Sequence, residues 1–127
     1  MARLRDVVFD CRKPAPLARF WTSVLDGYAV APYDDAELER LRGIGIDDPE
    51  DDPSVLVEPS GSGPRLFFTL VPEPKAGKNR VHLDVHADDM DAEVERLGEL
   101  GATVLTKFGD GHVLLTDPEG NEFCLMP

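Results

Sequence analysis

Residues 80–102, RVHLDVHADDMDAEVERLGELGA, read as a strand that runs directly into an amphipathic helix. Val81, Leu83 and Val85 alternate with His82, Asp84 and His86, the period of two expected when one face of a strand is buried. The other face carries imidazole, carboxylate and imidazole. Asp88 and Asp89 each suit a helix N-cap; Met90, Val94, Leu97 and Leu100 follow at helical spacing, and Gly101 supplies the stop.

Working outward toward the C-terminus, ATVLTKF (102–108) and GHVLLTD (111–117) read as strands around a Gly-Asp-Gly turn. Asp117-Pro118-Glu119-Gly120 has the residue order of a type I turn. NEFCLMP (121–127) closes the chain as a strand, with Phe123 and Leu125 on one face and Glu122 and Cys124 on the other. Toward the N-terminus, EPKAGKN (73–79) reads as a linker and a natural joint between halves. PRLFFTLVP (64–72) and SVLVEP (54–59) are strands around a GSG turn, and YAVAPY (28–33) is a strand whose Pro32 suits an edge or an end. LRDVVFDC (4–11) is the first strand, Val7, Phe9 and Cys11 against Asp6, Val8 and Asp10. Between 14 and 25 the period becomes helical: Leu17, Phe20, Trp21, Val24 and Leu25 form an apolar stripe, Pro14 and Pro16 suit the first turn, and Gly27 ends it. Residues 34–53 hold a short helix through Leu38 and Leu41 and then an acidic loop, whose DDPEDD run reads as a solvated segment before it reads as a cation site.

The order is strand, helix, three strands, given twice. FTLVP (68–72) lines up with FCLMP (123–127) at an offset of 55, and DVVFDC from Asp6 matches HLDVHA from His82 in pattern at an offset of 76. The difference, 21 residues, is close to the length of 34–53, so one insertion in the first half accounts for it. Two copies of this size point to a pseudo-twofold pair of sheets. The expected fold class is α+β: two βαβββ modules, about 1–73 with the insertion 34–53 and about 79–127, forming a single domain over 1–127.

The 127 residues suffice for one ordinary domain. A net charge of -12 argues against nucleic acid and against an anionic membrane surface, since both need clustered Lys and Arg. No run approaches a membrane span and MARLRDVVF lacks the apolar stretch of a signal peptide, so a cytoplasmic protein is expected. Cys11 and Cys124 show no pairing motif and are expected as free thiols.

The βαβββ order, HLDV followed by an acidic pair, and the DPEGNEF turn and strand together resemble the vicinal oxygen chelate superfamily, which includes glyoxalase I, extradiol dioxygenases and bleomycin and fosfomycin resistance proteins. The likeness is to its small glyoxalase-like members and covers essentially the whole chain. It implies curved mixed sheets with helices outside and a cavity on the concave side. Val7, Phe9, Leu66, Phe68, Leu70, Val81, Leu83, Val85, Phe123 and Leu125 would then pack on the helices. Asp6, Asp10, Phe67, Thr69, His82, Asp84, His86, Glu122 and Cys124 would face the cavity or solvent. Matched by motif, the superfamily's four ligand points fall on Asp6, Thr69, His82 and Cys124, of which His82 is a usual ligand at its position.

Two functions follow from the resemblance. The first is a binder of an organic small molecule without a complete metal site, in the manner of bleomycin resistance proteins, with Asp6, Phe67, Thr69, His82, Asp84 and Cys124 as ligand-binding residues. The second is a lyase or isomerase acting on a small carbonyl compound with one divalent ion (Zn, Mn, Ni, Mg or Fe), held by His82, Asp6 and Cys124, with Glu122 as the base. A homodimer is expected in either case. Cys124 reads as a small buried hydrophobe before it reads as a nucleophile, because no cation or helix N-terminus adjoins it in the sequence. Trp21 reads as core before it reads as a ligand-stacking ring.

Overall fold

The computed structural model describes residues 1–127. Eight strands follow the expected order, with three helices and one 3-10 turn. The chain divides into two compact units, Met1–Pro74 and Lys75–Pro127. Each carries an open, four-stranded mixed sheet, which establishes the α+β class. No helix is long and apolar enough to cross a membrane.

The first unit contains β1 (Asp6–Cys11), α1 (Pro14–Val24), β2 (Tyr28–Val30), α2 (Asp35–Gly43), the 3-10 turn Pro49–Asp51, β3 (Ser54–Pro59) and β4 (Arg65–Leu70). The sheet order is β1-β4-β3-β2, with β1 and β4 parallel and the other pairs antiparallel. β1 and β2 lie on opposite edges, so α1 must cross the sheet between them. Its apolar stripe, Leu17, Phe20, Trp21 and Val24, is buried, as are Val55, Val57, Leu66 and Phe68 of β3 and β4. Phe9 stacks on its register partner Phe68 at 4.9 Å and tilts against Trp21 at 5.1 Å. Each such side chain contributes roughly 1.5–3 kcal/mol of burial, far more than helix propensity supplies to eleven residues.

The second unit contains β5 (Leu83–His86), α3 (Met90–Glu99), β6 (Thr103–Lys107), β7 (Val113–Thr116) and β8 (Glu122–Met126), in sheet order β5-β8-β7-β6. Asp89 caps α3, accepting from the Ala92 N–H at 3.1 Å. The DPEG turn forms as expected, the Gly120 N–H donating to the Asp117 carbonyl. Asp117, 3% exposed, accepts from the N–H groups of Glu119 and Asn121 and from Asn121 Nδ2, so its buried charge is fully engaged.

Several expectations need correction. Val81 is 75% exposed and precedes β5: the first residue to find a partner on β8 is Leu83, opposite Phe123, so Val81 has no sheet to lie in. Leu70 is half exposed because it lies past Thr69, the last β4 residue with a partner on β3. β2 stops at Val30, short of Pro32, which has no N–H to donate. The register also changes the repeat. With FTLVP set on FCLMP, the parallel partners Phe9↔Phe68 and Leu83↔Phe123 make Leu83 the counterpart of Phe9, an offset of 74 rather than 76. His82 therefore corresponds to Val8, and Asp84 to Asp10.

Candidate functional site

In the second unit β5 and β8 run parallel with Asp84 opposite Cys124. The ring nitrogen of His82, just before β5, lies 3.3 Å from Asp84 Oδ1. The donor atoms of His82, Asp84 and Cys124 all lie within 4.8 Å of one another, so the backbone alone assembles an imidazole, a carboxylate and a thiol. Burial pushes the Cys124 thiol up, and the neighbouring Asp84 charge and hydrogen bond push it further, against a weaker pull from Lys78. The sulfur is therefore a protonated thiol beside a carboxylate, not a thiolate.

Glu122, two residues along the same strand face, is committed elsewhere. It accepts from the backbone N–H of Asn79 and from Lys75 Nζ, each at 3.0 Å. Burial opposes ionisation, but these donors outweigh it and hold the carboxyl at about 2. A carboxylate that far below neutral is a weak proton acceptor. Its geometry ties the 75–79 segment, expected as a linker, to β8. Asp6 belongs to the first unit and is clamped by Arg65, at 2.8 and 3.2 Å, and by Arg5 at 2.9 Å. The Arg65 hydrogen bond lowers its pKa against burial. Thr69 is held in the sheet between Asp10 and Ser54.

This donor set does not fit a Mn, Ni, Mg or Fe centre. Such ions prefer carboxylates and imidazoles, and here one carboxylate stands beside a protonated thiol while Glu122 and Asp6 serve Lys and Arg partners. Of the ions considered, only zinc suits mixed nitrogen, oxygen and sulfur, and it would have to displace the thiol proton. His86 pairs with Asp88 at the surface, and His112 pairs with Asp110 and stacks on Phe108 at 4.1 Å.

The first unit holds a cavity of about 460 Å³. Its floor is Leu56 of β3 and Phe67 of β4, so of the expected ligand-binding residues Phe67 alone lies on its wall. The roof is the insertion. Within it the expected short helix forms as α2, whose N-cap Asp34 accepts from the Glu37 N–H at 2.9 Å, and the acidic run, exposed over most of its length, forms the 3-10 turn capped by Asp48. Asp52, in the acidic run, is 2% exposed. Its Oδ2 accepts from the Tyr33 hydroxyl at 2.7 Å, its Oδ1 from the Ser54 N–H at 2.9 Å, and Arg40 approaches to 3.6 Å while pairing with Glu37. Burial, then the bond to Asp52, raises the Tyr33 hydroxyl well above its ordinary range. Arg19 of α1 meets Glu50 through two bonds of 2.7 Å, pinning the roof to the helix.

Tyr33, Arg40, Asp52 and Glu58 were not candidates from the sequence. The usable signal was Asp34 with Glu37 three residues on, a helix start with Leu41 as its buried anchor.

A model of the glyoxalase-like domain matches residues 6–126. The chain belongs to that family. Among solved structures this glyoxalase-like chain is similar to the fosfomycin resistance protein FosX from Mesorhizobium loti, at 18% identity over 98% of this chain and 90% of the other, TM-score 0.68. It is also similar to a glyoxalase/bleomycin resistance protein/dioxygenase family enzyme from Burkholderia phytofirmans PsJN, at 18% identity over 98% and 97%, TM-score 0.66. TnmS3, an antibiotic binding protein from Streptomyces sp. CB03234, matches at 20% identity over 98% and 96%, TM-score 0.55. At these identities the likeness is one of fold. No curated protein sequence matches.

Proposed function

We propose that this glyoxalase-like protein binds an organic small molecule in the first unit's cavity and does so without a complete metal centre. The observation that carries the reading is the cavity itself: about 460 Å³, an apolar floor of Leu56 and Phe67, and polar groups set around it on paired side chains. That size and mixture suit a drug-sized ligand. TnmS3, an antibiotic binder of similar fold, supports a binding role on this scaffold. The test is an NMR screen of small organic compounds against chelator-treated protein. Hits should shift the amides of Ala31, Tyr33, Leu56 and Phe67, and Leu56→Trp should abolish them. Hits that bind only after a divalent ion is restored would overturn the reading.

The cluster of His82, Asp84 and Cys124 supports a second reading, a divalent-metal-dependent lyase or isomerase acting on a small carbonyl compound. It requires near-stoichiometric metal in protein purified without chelator or nickel resin, lost in His82→Ala. A homodimer belongs to both readings, because each sheet is open and every β6 residue is exposed at an edge. Sedimentation velocity at micromolar concentration should show twice the chain mass, and a single species of chain mass would exclude it.

A further inference from the structure

We infer that the first unit's cavity is selective for an organic cation, an apolar body on Phe67 and Leu56 with a positively charged end toward Glu58. The inference rests on the binding reading above and adds the ligand's charge. Four carboxylates, Asp34, Glu37, Asp52 and Glu58, line the cavity against one guanidinium, Arg40. Arg40 is spent on Glu37 and Asp52, so an anionic ligand meets no available cation. Asp52 is satisfied by Tyr33 and the Ser54 N–H, and Asp34 caps α2. Glu58 differs from these. It stands on β3 opposite Ala29, is exposed, makes no ion pair at contact distance and acts on Arg65 only through its field.

Arg65 is the cation that would compete for this place. Its guanidinium lies 5.2 Å from the Phe67 ring centroid, but its hydrogen bonds go to Asp6, which it shares with Arg5, and none goes to Glu58. The same contact shows that the Phe67 ring lies where a cation can use its π face. An aromatic floor beside a carboxylate that has no ion-pair partner at contact distance, with walls that exclude part of the solvent, favours an ammonium or amidinium over its neutral isostere.

The experiment titrates three compounds with one naphthalene ring into ¹⁵N-labelled protein: 1-naphthylmethylamine, 1-naphthylmethanol and 1-naphthoate. The amine should bind at least tenfold more tightly than the alcohol, with shifts at the Leu56, Glu58 and Phe67 amides, and the naphthoate should not bind. Glu58→Gln should cut the amine-to-alcohol ratio to threefold or less, as should 0.5 M NaCl. If alcohol and amine bind the cavity equally, the cation selectivity is wrong and the cavity reading stands. If none of the three shifts the cavity amides, both fall. An amine preference that survives Glu58→Gln and salt unchanged also overturns the assignment.

Discussion

At the scale of single residues, two groups in the second unit have ionisation states set by their neighbours, in opposite senses. Glu122 has its folded pKa depressed from 4.5 to about 2. The unfolded chain binds its proton first as pH falls, so the stabilisation is fully present above about pH 4.5 and is lost between there and about pH 2. Because solvent reaches the pair, the contribution is about 2 kcal/mol. Glu122→Gln should therefore lower stability at pH 7 by about that amount and flatten the acid limb of the profile, measured by urea unfolding from pH 7 to 2.5. An unchanged acid slope would show that other carboxylates set it. Cys124 is displaced upward by burial and by Asp84. Its alkylation by iodoacetamide at pH 8 should run well below the rate of a free thiol, and Asp84→Asn should speed it by removing the opposing charge. A wild-type rate equal to that of a free thiol would contradict the protonated assignment.

Elements show how much of the molecule is legible in the sequence. The α1 stripe, the capped α3, the DPEG turn and the order of strands could all be read, because each depends on spacing along a continuous stretch. Register could not: HLDV matches DVVF in pattern two residues away from where β8 holds it, since a period of two is blind to a slip of two. Hence the sequence pattern sets Asp6 against His82, whereas the sheets pair Asp10 with Thr69 and Asp84 with Cys124. The cavity was illegible for another reason. DDPEDD is acidic whether it is hydrated or folded back, and the partners that meet Asp52 in its buried place, Tyr33 and Arg40, lie well before it in the chain. The insertion's two attachments can be ranked. Tyr33→Phe leaves a buried carboxylate short of a donor and should cost about 1–3 kcal/mol. Arg19→Ala breaks an exposed pair and should cost under about 1 kcal/mol, despite its two short bonds. Thermal unfolding of the two variants decides the order, and a larger loss for Arg19→Ala would mean that the roof is held mainly by its charge pair.

Across the whole molecule the apolar core is unevenly shared. Of the eighteen buried apolar residues, twelve lie in Met1–Pro74, including Trp21, Phe20 and Phe68, and six lie in Lys75–Pro127, where Leu97 alone secures α3. Each unit has one four-stranded sheet, but the first adds two helices and a 3-10 turn where the second has one helix, so hydrogen bonding and burial both favour the first. The second unit should open first. The chain carries its own reporters for this, because its one tryptophan, Trp21, and both tyrosines, Tyr28 and Tyr33, lie in the first unit. Fluorescence therefore follows only Met1–Pro74, while far-UV circular dichroism follows all the helices and strands. In a urea titration the dichroism signal should begin to fall before Trp21 emission shifts, and β6 amides should exchange with deuterium ahead of those in β4. Coincident transitions by both probes would instead mean that the six buried residues of the second unit unfold only together with the twelve of the first, as one cooperative body.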